Sequence, residues 1–525
     1  MYTVKLLKDD LIAGVTVAVV AVPMALAFGV ASGLGAAAGL YSAVVAGFLA
    51  SVFGGSRFQI TGPTGGMVAV LALIVGRYGP EKALLAGLLA GLFQVAFGLI
   101  KLGKLIKFIP FSVVAGFTAG IAFVIVLGQK DNILGAPLVA AATVILSLAV
   151  RKLVPRLPAS LVTMVIITSA VVYLGLPVAK LGVIPTSIPW PKLPGVGLGD
   201  LKELFKPALV LAALGSIESL LSAVVADGMT ADEHHDSNKE LIGQGIGNLA
   251  APLFGGMAAT GAIARTAVNI SSGAKTRFSG VVHSLTILAL MVALAPLAAE
   301  IPLAVLAGIL VVAAVRMVEW EDLVILYKSS RAALAVTVLT VAVTILVDLV
   351  TAVEVGLIAA GALFVYRMSD LGVYREENLF GESNACEVTL RVDPRIIAYR
   401  IDGPLFFGAV EKFIKTTTAH PGMRFLVLRM RRVSMIDTSG AMALEQINKN
   451  LHRQDCRLLI SGMQKNVAAR LEATGVLAEI GVDNIFVWTR EAIIEAERRL
   501  LSGRGAALAK SGAKSASHGR ESVST

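Results

Sequence analysis

Two stretches of this chain interrupt its apolar runs in the same way. Gln59-Ile60-Thr61-Gly62-Pro63-Thr64-Gly65-Gly66 precedes a short apolar run to Val75, and Gly255-Gly256-Met257-Ala258-Ala259-Thr260-Gly261-Ala262-Ile263-Ala264-Arg265 precedes another to Ser272. A helix that crosses a bilayer takes about 20 apolar residues, and these runs are too short and too rich in small residues for that. Non-helical backbone at such depth is tolerated only where protein buries it or where it lines a cavity. Any fold for the chain must therefore gather both breaks inside it.

The surrounding sequence is apolar enough to make this a membrane problem. Of 525 residues, 56% are hydrophobic and only 16% charged, with a mean hydropathy of +0.79. Reading for apolar runs and allowing the two short ones gives about fourteen segments, beginning near residues 11, 36, 66, 83, 108, 137, 159, 207, 241, 265, 279, 302, 332 and 352. From a cytoplasmic N-terminus, Arg57, Lys101/Lys104/Lys107, Arg151/Lys152/Arg156, Lys275/Arg277, Arg316/Lys328/Arg331 and Arg367 all fall on one side, as basic loops facing the cytoplasm should. The Pro-rich link from Gly175 to Lys206, which carries Lys180, Lys192 and Lys202, lies opposite as a small extracytoplasmic cover. Membrane topology accounts for much of the net charge of +10, so no nucleic-acid partner is implied. Cys386 and Cys456 form no metal-ligand pattern with histidine, and neither a disulfide framework nor a cofactor is expected. The first apolar run continues to about Ser32, past signal-peptide length, and reads as a retained helix.

The link divides the segments seven and seven, with repeats at about 8–175 and 205–367, and each half has its break about 55 residues in. An odd number of spans inverts the second copy, the pattern of an inverted-repeat transporter with its site where two half-helices meet. Each half-helix N-terminus offers unpaired amides and about half a positive charge, so the gap between them is an anion site. The alternative for either break alone is a packing kink.

Few ionisable residues lie within the apolar segments. Glu218 is the only acidic residue between Pro207 and Ala226 and should face the bundle interior, because an unpaired charge there costs a few kcal/mol or more. A carboxylate beside an anion pocket repels the anion unless a proton or cation binds too, which gives Glu218 a coupling role. Ser222, one turn on, can add an oxygen. Arg265 opens the second half-helix and suits direct ligation of an oxyanion, or else a static pair with Glu218. His283 reads as a packing histidine, Glu354 as close to a helix end, and Asp232-Glu233-His234-His235-Asp236 as a solvated turn rather than a metal site.

At this point the sequence resembles the sulfate permease (SulP) family of anion transporters. The resemblance rests on Pro23-Met24-Ala25-Leu26-Ala27-Phe28-Gly29, Gly62-Pro63-Thr64-Gly65, Gly215-Ser216-Ile217-Glu218-Ser219-Leu220-Leu221-Ser222, Asn238-Lys239-Glu240-Leu241-Ile242-Gly243-Gln244-Gly245, Arg265-Thr266 and Gly273-Ala274-Lys275-Thr276-Arg277. It is nearest to cyanobacterial-type bicarbonate transporters. It implies a fourteen-helix inverted-repeat fold with a core domain moving against a gate domain. It also places Phe28 beside the anion, Thr64 at the first half-helix and Gly261, Ala262 and Ile263 at the second; with Gly65 and Arg265 these make the expected substrate site, and Glu218 and Ser222 the expected coupling-ion site. Sodium-dependent bicarbonate relatives carry Asp, Thr and Thr where this chain has Glu218, Ser222 and Ile263, and other relatives carry Gln or Glu at Met24. Glu at position 218 is what proton-coupled members tend to carry.

After about Leu371 charge returns at ordinary density. Strands are expected at Glu387–Val392, Ile396–Ile401, Phe425–Met430, Arg457–Ser461 and Ile485–Trp488, and helices at Gly408–Thr418, Thr438–Leu451, Lys465–Thr474 and Arg490–Leu501. This α/β domain, 386–501, resembles a STAS domain, followed by a tail at 502–525 too polar to order itself. Thr438 of Asp437-Thr438-Ser439-Gly440 matches a phosphoacceptor, against a plain helix cap as the alternative. The expectation is a bacterial inner-membrane homodimer, with its N-terminus and STAS domain cytoplasmic and a regulatory partner at the latter. It is no enzyme, and it carries sulfate, bicarbonate or a C4 dicarboxylate with a proton. The alternatives are sodium-coupled bicarbonate uptake, a prestin-like voltage sensor or channel, and a receptor.

Overall fold

In the computed structural model the described residues are 4–104, 110–154, 157–195, 197–230, 234–318, 320–347, 349–368, 372–375, 393–407, 410, 414 and 422–502. Contacts divide the chain into Met1–Ala360 and Gly361–Thr525.

The first half of the membrane unit is α1 (Val4–Ala31), α2 (Ala36–Phe53), β1 (Thr61–Gly62), α3 (Gly65–Tyr78), α4 (Pro80–Leu99), α5 (Phe111–Gly128), α6 (Lys130–Gly135), α7 (Pro137–Leu153) and α8 (Ala159–Tyr173). The second is α9 (Leu198–Met229), α10 (Ser237–Ala250), β2 (Thr260–Gly261), α11 (Ile263–Ser271), α12 (Phe278–Ala298), α13 (Leu303–Met317), α14 (Trp320–Ser329), α15 (Arg331–Leu346) and α16 (Leu349–Met368). In both halves the third helix follows a break and the sixth is short, so α3 corresponds to α11 and α6 to α14. Setting aside the two short helices leaves seven spans in each half, the 7+7 arrangement expected from the sequence. Among the described residues seven helices are long and apolar enough to cross a bilayer by themselves. α10, with 14 residues, and α11, with 9, are too short to span alone, and they carry Glu240, Gln244, Asn248, Arg265 and Asn269, all buried.

Two bundles result: α1–α4 pack with α9–α12, and α5–α8 with α13–α16. Small residues let the helices close up. A Cβ on Gly91 would stand 2.5 Å from Leu249 N and one on Gly245 2.7 Å from Gly91 O, so α4 and α10 touch backbone to backbone, as membrane helices do where packing replaces the hydrophobic drive. Large apolar side chains such as Leu138, Ile145, Tyr173, Leu346 and Ile358 stay exposed, which suits a lipid-facing surface. The link between the halves is tied down by Leu181 N to Ile301 O at 2.8 Å and Lys192 N to Leu253 O at 2.8 Å.

The second unit holds a five-stranded sheet ordered β3 (Gly372–Arg375), β4 (Ile396–Asp402), β5 (Phe425–Arg432), β6 (Arg457–Ser461) and β7 (Ile485–Phe486). β3 is antiparallel to β4 and the remaining pairs are parallel. α17 (Thr438–Arg453), α18 (Lys465–Ala473) and α19 (Val476–Ile480) pack on one face. A helix over 489–502, α20, covers the other through Ala492, Ile493 and Ala496. The edge strand over 372–375 lies in what the sequence reads as linker. Its four residues are too few to stand out from the preceding apolar segment. The strand expected at Glu387–Val392, nearly all of the helix expected at Gly408–Thr418, Cys386 and the tail from 503 lie outside the described residues.

Candidate functional site

The two breaks meet. β1 and β2 pair antiparallel, Thr61 with Gly261 and Gly62 with Thr260, and Ala262 N donates to Ile60 O at 2.9 Å. Both strands read Thr-Gly, and swapping the halves maps this pairing onto itself, as a two-fold relation requires. Thr64, extended at φ −128° and ψ 160°, then starts α3, and Ala262, at φ −105° and ψ 114°, starts α11. Two helix N-termini are thereby brought to one place.

α9 runs beside the crossing and supplies its acid. Thr64 Oγ1 donates to Glu218 Oε2 at 2.7 Å, and Thr260 Oγ1 donates to the same oxygen at 2.9 Å. The two hydroxyl oxygens are 3.3 Å apart. A Cβ on Gly66 would clash with Glu218 Oε1 and lie 2.9 Å from the carboxyl carbon, so the carboxylate rests on the first turn of α3. Glu218 and Thr64 are both partly exposed.

Arg265 packs against Gly62 and Pro63. It is 2% exposed and donates through Nη2 to Pro63 O, with its guanidinium against Gly62. Its Nε and Nη1 have no partner among the described residues. No nitrogen of Arg265 lies within 4.0 Å of a Glu218 oxygen, so the static contact pair is not formed. The charge acts on Glu218 without contact. His283 is fully buried near the same face, on α12, with both ring nitrogens unpartnered.

The remaining residues singled out in the sequence divide by position. Ser222 Oγ is 3.2 Å from Thr266 Oγ1, which accepts Ile60 N at 3.1 Å. It braces α11 and β1 and is not hydrogen-bonded to Glu218. Gly261 N donates to Ser219 Oγ at 3.0 Å. Phe28 is buried in α1 within the main apolar cluster. Gly65 is covered by Met317 and Ile125 of the other bundle, whose nearest atoms would be 2.6 and 2.9 Å from a Cβ there. Ala262 is 9% exposed, whereas Ile263 is 39% exposed. Glu354 reaches Lys206 at 3.4 Å with both side chains more than half exposed. In the turn after α9, His235 Nδ1 is 2.7 Å from Asp227 Oδ2. Among the described residues no group of three or more His, Cys, Asp or Glu could hold a metal.

The sequence reading did not single out Thr260, Glu240, Gln244 or Asn248. The last three lie four residues apart on α10 and so share one face. Glu240 accepts Gly55 N at 2.7 Å, Ser56 N at 2.8 Å and Gln59 Nε2 at 2.9 Å. Gln244 Nε2 donates to Thr61 Oγ1 at 2.6 Å. Asn248 accepts Ala259 N at 2.7 Å and donates to Ala259 O at 2.8 Å. One helix face thus holds the approach to β1 and the approach to β2. The repeated Thr-Gly and the i, i+4, i+8 polar spacing were the available signals.

With this geometry in view, the comparisons are direct. The profile of the sulfate permease family matches residues 7–149 and 138–340, and that of the STAS domain matches 387–492. The chain belongs to the sulfate permease family. A Bacillus subtilis relative, YvdB, assigned by name to sulfate transport, is 39% identical over 92% of this chain and 97% of its own. The bicarbonate transporter BicA of Picosynechococcus sp. is 32% identical over 93% and 94%. A solved structure of the transmembrane domain of a cyanobacterium BicA covers 67% of this chain and 98% of its own, with 38% identity and a TM-score of 0.61. The overall structure of SLC26A9, 17% identical, covers 94% and 90% with a TM-score of 0.81, which establishes the shared fold. A sulfate permease of this kind is a membrane transporter of anions and not an enzyme.

In the STAS domain, Asp437 caps α17 by accepting Gly440 N at 2.7 Å and also accepts Phe407 N at 3.2 Å. Thr438 is exposed at the first turn.

Proposed function

We propose that this protein is a secondary-active transporter that moves a small oxyanion inward with a proton, by alternating access of the crossed-strand bundle against the other. The observation that carries this is the carboxylate of Glu218 held by Thr64 and Thr260 where two half-helices begin. Helix N-termini and a buried guanidinium favour an anion there. An acid in the same place ties its occupancy to protonation. The substrate is sulfate, bicarbonate or a C4 dicarboxylate, consistent with the relatives named for sulfate and bicarbonate. The protein works as a homodimer in a bacterial inner membrane, with its N-terminus and STAS domain cytoplasmic and Thr438 available to a regulatory partner.

The test is uptake by purified protein in liposomes. Radiolabelled sulfate, bicarbonate and succinate are offered under an imposed pH gradient, an imposed sodium gradient, or neither. Accumulation driven by the pH gradient alone is expected. Accumulation requiring sodium would replace the proton as coupling ion, and failure to accumulate any of the three would reject the transporter reading. Glu218→Gln should abolish gradient-driven accumulation while exchange of internal for external anion continues.

A further inference from the structure

We propose that the Glu218 carboxylate occupies the seat the transported anion takes at the start of α3, so that anion and carboxylate exclude each other until Glu218 gains a proton. This deepens the transporter reading and rests on it for the identity of the ligand as an oxyanion.

Three observations place the carboxylate in the seat rather than beside it. Both hydroxyls at the crossing donate to one oxygen, Oε2. The other oxygen lies too close to Gly66 for a side chain there, against the first turn of a helix of 14 residues. The first bond within that helix is Val68 N to Thr64 O at 3.1 Å, so the amides of Gly65, Gly66 and Met67 precede it and face the end the carboxylate covers. Glu218 and Thr64 are also partly exposed, whereas Arg265 is 2% exposed and turned to Pro63 O. An incoming anion therefore meets the donors that Glu218 already holds.

Charge leads to the same exclusion. Among the described residues the charged group that acts on Glu218 is Arg265 of α11, and His283 of α12 is within reach of the same guanidinium. One carboxylate balances one guanidinium. A second anion in the same seat would be repelled, and the repulsion falls away when Glu218 carries a proton and can swing off α3. Each anion bound then brings one proton, which couples the two without a separate proton site.

The experiment is binding rather than transport, so it stands apart from the uptake test. Sulfate and nitrate, neither of which titrates between pH 5 and 9, are titrated into the purified full-length protein by calorimetry in buffers of different ionisation enthalpy. The expected result is an affinity for the anion that binds which falls on the order of tenfold per pH unit in the alkaline range, with one proton taken up per anion there. Glu218→Gln should bind at every pH with the affinity the parent shows at pH 5, and without proton uptake. Three results would overturn the proposal: anion binding by the parent with no proton uptake at pH 8 to 9, a Glu218→Gln protein that keeps the parent's pH slope, or no binding of either anion by the parent at pH 5. Proton uptake is measured on the parent alone, so the proposal remains testable if the variant does not fold. Competition confirmed in a protein that fails to accumulate anions in liposomes would reject the transport reading only.

Discussion

The two half-helices begin from the same backbone and carry opposite chemistry. Thr61-Gly62 and Thr260-Gly261 pair symmetrically, and a helix follows after Pro63 and Thr64 in the first case and after Ala262 in the second. Four residues beyond the strand's last glycine, however, α3 has Gly66, which admits the Glu218 carboxylate, while α11 has Arg265, whose guanidinium turns back to Pro63 O. The first end is covered by Met317 and Ile125, whereas Ile263 at the second is 39% exposed. Duplication explains the shared geometry. The divergence is what turns two equal helix ends into one seat with a removable negative charge and a fixed positive one.

Erasing the difference at Gly66 should have the largest effect. Gly66→Ala places a methyl group in clash with Glu218 Oε1, and the carboxylate must leave α3. Gly to Ala favours a helix by up to about 1 kcal/mol, so the protein should melt no earlier than the parent. Its uptake rate should nonetheless fall ~100-fold, the scale of a 1 Å misplacement at a reacting or binding centre. A variant that melts normally and transports normally would show that Glu218 does not need its place against α3.

Loosening what holds the two ends in register should come next. Asn248→Ala leaves Ala259 N and O without the side-chain partners they have now, along with Gln94 Oε1, which accepts Asn248 Nδ2 at 2.8 Å. A buried polar group left unpaired costs about 1–3 kcal/mol. The expected loss is about 2 kcal/mol in stability, read as a lower melting temperature, with weaker anion binding. Gln94→Ala removes only one of these bonds and should cost less than half as much.

This asymmetry also marks how far the sequence could be read. The span count, the two breaks and the acid on α9 were legible because hydropathy and Gly-Pro punctuation report directly on the bilayer. Glu240, Gln244 and Asn248 were not, although the first two occur in a stretch used for recognition, because a polar face counts against a span until its partners are known. Here the partners are backbone groups of residues 55, 56 and 259 and the side chains of Gln59 and Thr61. Nor could spacing reveal that Arg265 faces Pro63 O rather than Glu218. Nor could it reveal that Ser222, which shares a helix face with Glu218, is engaged by Thr266.

Removing the fixed charge should separate anions by valence. Arg265→Ser leaves both helix ends intact, and a divalent ion loses more Coulomb energy than a monovalent one. Acting without contact at an effective dielectric constant near 20, one charge is worth about 1–2 kcal/mol for each unit on the anion. The sulfate dissociation constant should rise roughly tenfold more than that of nitrate. An equal rise for both would assign Arg265 to holding Pro63 and β1 in place.

The smallest change would make the two ends more alike. Ile263 stands three residues beyond Thr260, as Thr64 stands three beyond Thr61, and it exposes 39% of its surface. Ile263→Thr adds a hydroxyl on the open side of the crossing at little structural cost, because the lost methyl groups are only partly packed and both side chains are β-branched. A neutral hydrogen bond contributes about 0.5–1.5 kcal/mol net, less where water already competes. The half-saturation concentration for the transported oxyanion should fall about two- to fivefold, with the maximal rate unchanged and the melting temperature within a degree or two of the parent. If instead affinity is unchanged while Thr64→Val weakens it tenfold or more, the anion is held by the α3 end alone, and the α11 end contributes through Arg265 and its helix dipole without touching the substrate.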